Sequence, residues 1–502
     1  MSGSPQNKER SSMVSIMSYF PVRKRTCTSE VSSEISEKRR RGTVIAKAEF
    51  LSPAEVRSGM TPIHVRCLDV QDERKDGLQR AAAALHPPTP LGFFGELSPS
   101  LYHYMFHGID VSCLVSLCMT SSAVSTHLLN YVQSNIYIQR LHNEGNDFTT
   151  KEGLSRKLLF TRYDPFYCHG KLLKAVSICF PTSKRVTLLK RFCERAISHG
   201  INLHGLGRII HTMCHKWAFS ECAKVLHAIL ELNDCRLKKA LKQISEGEPG
   251  SLPKVEMEVR EFIRSLLLTG RDARYEGADV EWIFWISAVI RTFTEPMSQS
   301  RLLMVLFGPT VELNGEVAVD WRLFCEHVVT SLELAETIVK PLSDVLHLLL
   351  KTNRLERTEY VWTQHDVFNV IEELSTSPEP WSFDNFVSLL LQRPALIPVS
   401  LVARMNHEYT EEACLLFISF MTMAHCWNMN VYEVLHQPII QAVRSLSRER
   451  AREFFEKVCD LYANQLKDFS SRGRDGARDL RSLLDAYGEI APILQEISTL
   501  LW

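Results

Sequence analysis

The chain lacks a CxxC pair, an apolar run long enough to span a bilayer (about 18 residues or more), and any net formal charge over its 502 residues. Each absence narrows the field. The fourteen cysteines are scattered, which suits reduced, buried, small hydrophobes of an intracellular protein rather than a disulfide framework. No uninterrupted apolar stretch follows the first basic residues, so neither a secretory signal nor a membrane association is expected. A Gly-rich phosphate loop, a GxSxG turn and HExxH are also missing, which makes a hydrolase or transferase the least expected class.

Two residue groups nonetheless invite a chemical reading. His211-x-x-Cys214-His215 places three potential metal ligands at helical spacing, with Cys222 a conceivable fourth. The flanking Ile209, Ile210, Met213, Trp217 and Ala218 make a buried helix the simpler account, so no metal is assigned. Cys168-His169 pairs a thiol with a base, but neighbouring residues on a helix or strand point apart. No catalytic residue and no cofactor is expected.

The zero net charge conceals a basic leader. Residues 1–47 hold ten Lys or Arg and four acids, a surplus of six that the remaining chain cancels. Outside it the charges are evenly mixed, which argues against a broad nucleic-acid-binding surface on the folded part. Residues 1–88, rich in Ser and charge and poor in aromatics, are expected to be disordered. Within them Arg23, Lys24 and Arg25 precede Lys38, Arg39, Arg40 and Arg41 by twelve residues, the spacing of a bipartite nuclear import signal read by an importin. Met13, Ile16, Tyr19 and Phe20 resemble the core of a PCNA-interacting peptide, with Met13 where that motif usually has Gln; a chance apolar cluster also accounts for them. His86-Pro-Pro-Thr-Pro90 is a stiff linker into the folded part.

The stretch from Leu97 to Tyr131 carries three short helical patterns in succession. The first spans about Ser98 to His107, with Leu97, Leu101 and Met105 at a spacing of four, and Gly108 stands where a left-handed helix end wants a residue without Cβ. Asp110 can cap the second, whose Val111, Leu114 and Leu117 share a face; Ser121 or Ser122 can cap the third, with Val124, Leu128, Leu129 and Val132. Three helices this short lack a core of their own and require a partner or neighbouring domain. Such spacing also suits an ordinary helical hairpin inside a larger bundle.

With Leu97, Leu101, Met105, Ile109, Leu114, Leu117, Val124 and Leu129 in its apolar places, the stretch resembles an F-box, although Ser98 replaces the family proline and Pro99 comes one place late. That resemblance implies docking on a Skp-type adaptor, and through it a cullin, by Leu97, Pro99, Leu101, Met105, Ile109, Leu114 and Leu117. The module is placed at residues 89–145.

Residues 146–502 show helical period nearly throughout. Val186, Leu189, Cys193 and Ala196 line one face of Ser183–His199, ended by Gly200; Val259, Phe262, Ile263, Leu266 and Leu267 line Lys254–Thr269. Thr363 and Asp366 form a capping box for a helix carrying Val367, Val370 and Ile371, and Phe454, Val458, Leu461 and Tyr462 mark a stripe near the C-terminus. A single strand signal, alternation on both sides of Asn314-Gly315, predicts a small β-hairpin. The fold class is therefore all-α: a three-helix module, then a large helical, solenoid-like domain with one hairpin.

Phe284-Trp285-Ile286 and the segment Gln299 to Pro309, together with His127, Asn130 and Tyr131, are similar to the F-box only protein 47 family. The resemblance implies a non-catalytic substrate receptor of a cullin ubiquitin ligase, acting in the nucleus on meiotic chromosomes, with a protein substrate on the helical domain. A nuclear helical scaffold outside any ligase, tethered to chromatin through PCNA, is the competing reading.

Overall fold

A computed structural model describes residues 97–152, 164–269, 278–313, 315–355, 359–471 and 477–502. The import clusters, the PCNA-like peptide and the expected disorder of residues 1–88 lie outside these residues. The chain folds into twenty helices among the described residues: α1 (Pro99–His107), α2 (Val111–Cys118), α3 (Ser122–Val132), α4 (Asn135–Glu152), α5 (Pro165–Ser177), α6 (Thr182–Ser198), α7 (Leu203–Cys214), α8 (Phe219–Leu230), α9 (Leu232–Glu246) and α10 (Pro253–Leu266) come first. They are followed by α11 (Ala278–Ile290), α12 (Pro296–Phe307), α13 (Lys340–Leu350), α14 (Gln364–Thr376), α15 (Phe383–Leu391), α16 (Ile397–Asn406), α17 (Thr410–Cys426), α18 (Val431–Ser445), α19 (Arg448–Ser471) and α20 (Ala477–Leu501). Leu332–Leu334 and a π-helical turn, Ala335–Val339, lead into α13.

The expected hairpin is present: β1 (Thr310–Leu313) pairs antiparallel with β2 (Glu316–Val319), Leu313 opposite Glu316, and Gly315 takes φ +79° at the turn. That sign of φ is what the primed hairpin turn requires and what glycine supplies without a Cβ clash. The capping box also forms: Asp366 N–H donates to Thr363 Oγ1 at 3.1 Å, and Thr363 N–H donates to Asp366 Oδ2 at 3.0 Å.

Helices stack in two rows, each packing on the next helix of its own row. One row runs α5, α7, α10, α12, α14, α16, α18, α20; the other runs α6, α8, α11, α13, α15, α17, α19. Between the rows lies a continuous apolar core that includes Ile209, Val259, Trp285, Leu303, Ile371, Leu401, Phe417, Ile439 and Ile493, all buried. Such stacking lets each helix bury a stripe that it could not cover alone. Where neighbours within the first row approach closely, glycine removes the obstacle: a Cβ on Gly207 of α7 would lie 2.4 Å from the Ser265 carbonyl oxygen of α10.

The three N-terminal helices end and begin largely as their sequence suggests. Asp110 Oδ1 accepts the Ser112 N–H at 2.7 Å, and Ser121 Oγ accepts the Ala123 N–H at 3.2 Å. Gly108, however, is right-handed (φ −82°, ψ −9°). The Gly108 and Ile109 N–H groups bond back to Met105 and Phe106 carbonyls, closing α1 in a tight turn that needs no left-handed residue. The expected module boundary at residues 145 and 146 falls inside α4.

Candidate functional site

Helix α1 has two apolar faces of opposite fate. Tyr102 and Phe106 are buried, whereas Leu101 is 50% exposed, Tyr104 79% and Met105 39%, with Met119 at the end of α2 65% exposed. Pro99 is exposed, and Leu97, Ile109 and Leu117 are half-buried. Leu114 is fully buried, so of the residues expected to meet an adaptor it alone presents no surface. It belongs instead to the face of α2, with Val111 and Cys118, that packs toward α5. The stripe that periodicity marks on α1 is thus the open one, and the aromatic stripe beside it is the buried one.

That aromatic stripe begins a chain of rings leading into the body. Tyr102 stacks on His127 of α3 at 4.0 Å between centroids; Phe106 meets Tyr131 at 5.7 Å; Tyr131 meets Tyr137 of α4 edge-on at 5.3 Å; Tyr137 meets His169 of α5 at 5.1 Å. Aromatic pairs in this range add to the burial of their area. Alternation of apolar residues could not reveal this chain, because two of its members are histidines and three are tyrosines. The signal available was that His127 and Tyr131 matched the family outside the general apolar pattern.

A polar network fastens the same joint. Arg140 on α4 donates from Nη1 to the Phe106 carbonyl at 2.9 Å and from Nε to Glu144 Oε1 at 2.5 Å. Glu144 Oε2 lies 3.0 Å from His169 Nε2, and His169 Nδ1 lies 2.7 Å from the Tyr137 hydroxyl. Burial holds His169 below its ordinary pKa and hence neutral. A carboxylate can only accept, so Nε2–H donates to Glu144 and Nδ1 accepts from Tyr137 O–H. Burial pushes the Glu144 carboxyl up, but its His169 and Arg140 partners outweigh it and hold the group well below the usual range. With the imidazole neutral, the Arg140 guanidinium is the counter-charge. On the other side of the joint Arg195 of α6 bonds the Gln133 carbonyl and, at 2.8 Å, Asn135 Oδ1.

The histidine and cysteine groups do not converge. His211 Nε2 bonds the Leu267 carbonyl at 2.9 Å, α7 ends at Cys214, and His215 turns away to Glu281 at 2.8 Å. Burial drives the Cys214 thiol well above its ordinary pKa. No group of three or more His, Cys, Asp or Glu among the described residues could hold a metal ion. Cys168 is likewise pushed up by burial, which disfavours the thiolate, and its neighbour His169 is committed to Tyr137 and Glu144. No single described helix is long and apolar enough to cross a membrane.

A groove of about 1110 Å³ lies in the body along α10, walled by Trp282, Phe307, Val317 and Val345. Arg260 borders it, half-buried, its Nη1 donating to the carbonyls of Val305 at 3.0 Å and Gly308 at 2.9 Å.

Two rows of stacked helices behind a short helical head define a helical-repeat protein. Residues 233–501 match a family model described as FBXO47, ARM repeats, and the chain belongs to that family. It is 25% identical over 423 residues to F-box only protein 47 of Homo sapiens, covering 81% of this chain and 88% of that protein. Its identity to F-box only protein 47 of Mus musculus is 26% over 312 residues, 60% of this chain and 64% of the mouse protein. The segments that carried the resemblance in the sequence are core: Phe284, Trp285 and Ile286 in α11, and Leu302, Leu303 and Met304 in α12, are all buried.

Proposed function

We propose that this chain is the substrate-holding subunit of a ubiquitin ligase of the Skp adaptor–cullin–F-box type. The observation that carries the reading is the open apolar face of α1, Leu101 with Tyr104 and Met105, on a module whose other face is fastened to the body. Large exposed apolar side chains on one helix are suited to docking into a partner's groove. Pro99 is exposed on the same helix, and Ile109 and Leu117 keep part of their surface open, whereas Leu114 is buried toward α5.

The chain would need no catalytic residue of its own. Holding a substrate on the stacked helices and an adaptor on α1 raises the concentration of substrate near a ligase-bound ubiquitin carrier. The basic clusters at residues 23–25 and 38–41 support action in the nucleus after import, and the family resemblance extends this to meiotic chromosomes. The PCNA-like residues Met13, Ile16, Tyr19 and Phe20 would add a tether to the sliding clamp. The test is co-purification of the full chain with a Skp adaptor and a cullin. Capture of both supports the ligase reading; capture of the adaptor without a cullin favours a scaffold, and loss of neither on changing Leu101 and Met105 to Asp overturns the docking face.

A further inference from the structure

The groove along α10 is charged in a particular way. Three of its carboxylates already have cations: Glu316 meets Lys254 at 2.8 Å, Glu258 meets Arg236 at 2.7 Å, and Asp344 meets Arg393 at 2.5 Å. Arg260 and Arg264 have no carboxylate partner among the described residues, although both border the groove and stand one helical turn apart. Like charges at that spacing weaken a helix. Burial, and then the nearby Arg264, hold Arg260 down to about 10. Glu261, three places before Arg264, is not paired with it either. The wall beside these two guanidinium groups is apolar, made by Met257, Leu268, Phe307 and Val345.

We propose that this groove holds an extended peptide of a partner protein, one Asp or Glu of which bridges Arg260 and Arg264 while a neighbouring apolar side chain packs on Met257, Leu268 and Val345. A planar carboxylate matches the guanidinium fork and can be shared between two of them. A single negative charge fits better than a phosphate. Glu258, Glu261, Glu316 and Asp344 share these walls and would repel a dianion more strongly. The inference rests on the reading of the stacked helices as the part that holds a partner.

The test pans a phage library of random peptides on the full chain and measures recovered peptides by fluorescence anisotropy. Recovered sequences should combine Asp or Glu with a large apolar residue, and replacing that acid by its amide should weaken binding by about tenfold or more. Arg264→Glu, an exposed position, should not lower the thermal midpoint, and should weaken the acidic peptides to the same extent and bind their Lys-for-acid versions instead. Recovery of no peptide, peptides without an acid, affinity indifferent to Arg264→Glu, or tighter binding of the phosphoserine version would each overturn the proposal. Adaptor capture measured on the same preparations separates the two readings: if it persists while the groove fails, only the groove is lost.

Discussion

Arg140 reaches from α4 to the carbonyl of Phe106, 34 residues earlier, and caps the end of α1 across 2.9 Å. This bond fixes the helix that carries the open apolar face to the helix that enters the body. Replacing Arg140 by Met removes it and leaves the Glu144 carboxylate with His169 alone, without its counter-charge. A loss of about 1–3 kcal/mol of stability is expected, read as a lower urea midpoint. Adaptor capture should fall with it, because the docking helix loses its anchor.

Surface and core roles on the module can be separated by two substitutions. Leu101→Asp together with Met105→Asp should abolish adaptor capture and leave the urea midpoint close to wild type, since both side chains are exposed. Leu114→Ala should lower stability by about 2–5 kcal/mol through a cavity under α2. Were Leu114→Ala to spare the fold and remove only the adaptor, the placement of that side chain would be wrong.

The pH dependence of stability should carry the mark of His211. Burial lowers it to about 4, against an ordinary value of 6.5. The folded protein thus holds it neutral while the unfolded chain takes up a proton first. Its contribution is complete above pH 6.5 and is lost as the pH falls toward 4, roughly 3 kcal/mol in all. His169 is shifted the same way and adds to the loss. Urea midpoints measured at pH 7 and pH 5 should therefore differ less in His211→Gln, whose amide can still donate to the Leu267 carbonyl.

Gly207→Ala tests the close approach of α7 to α10. Its Cβ would stand 2.4 Å from one carbonyl oxygen and 2.8 Å from the next, both on backbone that cannot swing aside. A destabilisation of about 1–3 kcal/mol is expected from the displaced helix. Thermal denaturation measures it.

Glu256 is a buried carboxylate satisfied by neutral donors, the Gly250 N–H at 2.9 Å and Trp321 Nε1 at 3.0 Å. It ties the turn before α10 to the residues after the hairpin. Glu256→Leu would orphan both donors, and a loss of about 1–3 kcal/mol for each is expected. Trp321 fluorescence should shift to the red as the indole gains access to water.

Much of the helical body was legible in the sequence because its stripes repeat with helical period and its ends carry local chemistry. Thr363 and Asp366, Gly200 at φ +74° and the Asn314-Gly315 turn all act within a few residues of themselves, where sequence is enough. What a helix buries is decided by its neighbours. Leu101, Met105 and Leu114 were all assigned to the adaptor, yet Leu114 is buried, and Tyr102 and Phe106, which spacing did not mark, fill the core because His127 and Tyr131 await them on another helix. Buried ionic residues are less legible still. Arg404, with almost no exposed surface, pairs with Glu372 of α14 and lies near Glu412 of α17, carboxylates that its own segment does not contain. The groove along α10 escaped for the same reason, since its lining comes from six separate segments.

The uninterrupted course of α4 from Asn135 to Glu152 bears on how this protein can be taken apart. A chimera cut after residue 145 would sever that helix and strip Leu114, Leu128 and Tyr131 of the α5 surface that covers them. The head is therefore not a cassette to be grafted onto other receptors. A fusion that preserves it must carry α5 along, through Ser177 at the least, because the surface that closes its core is supplied by the body.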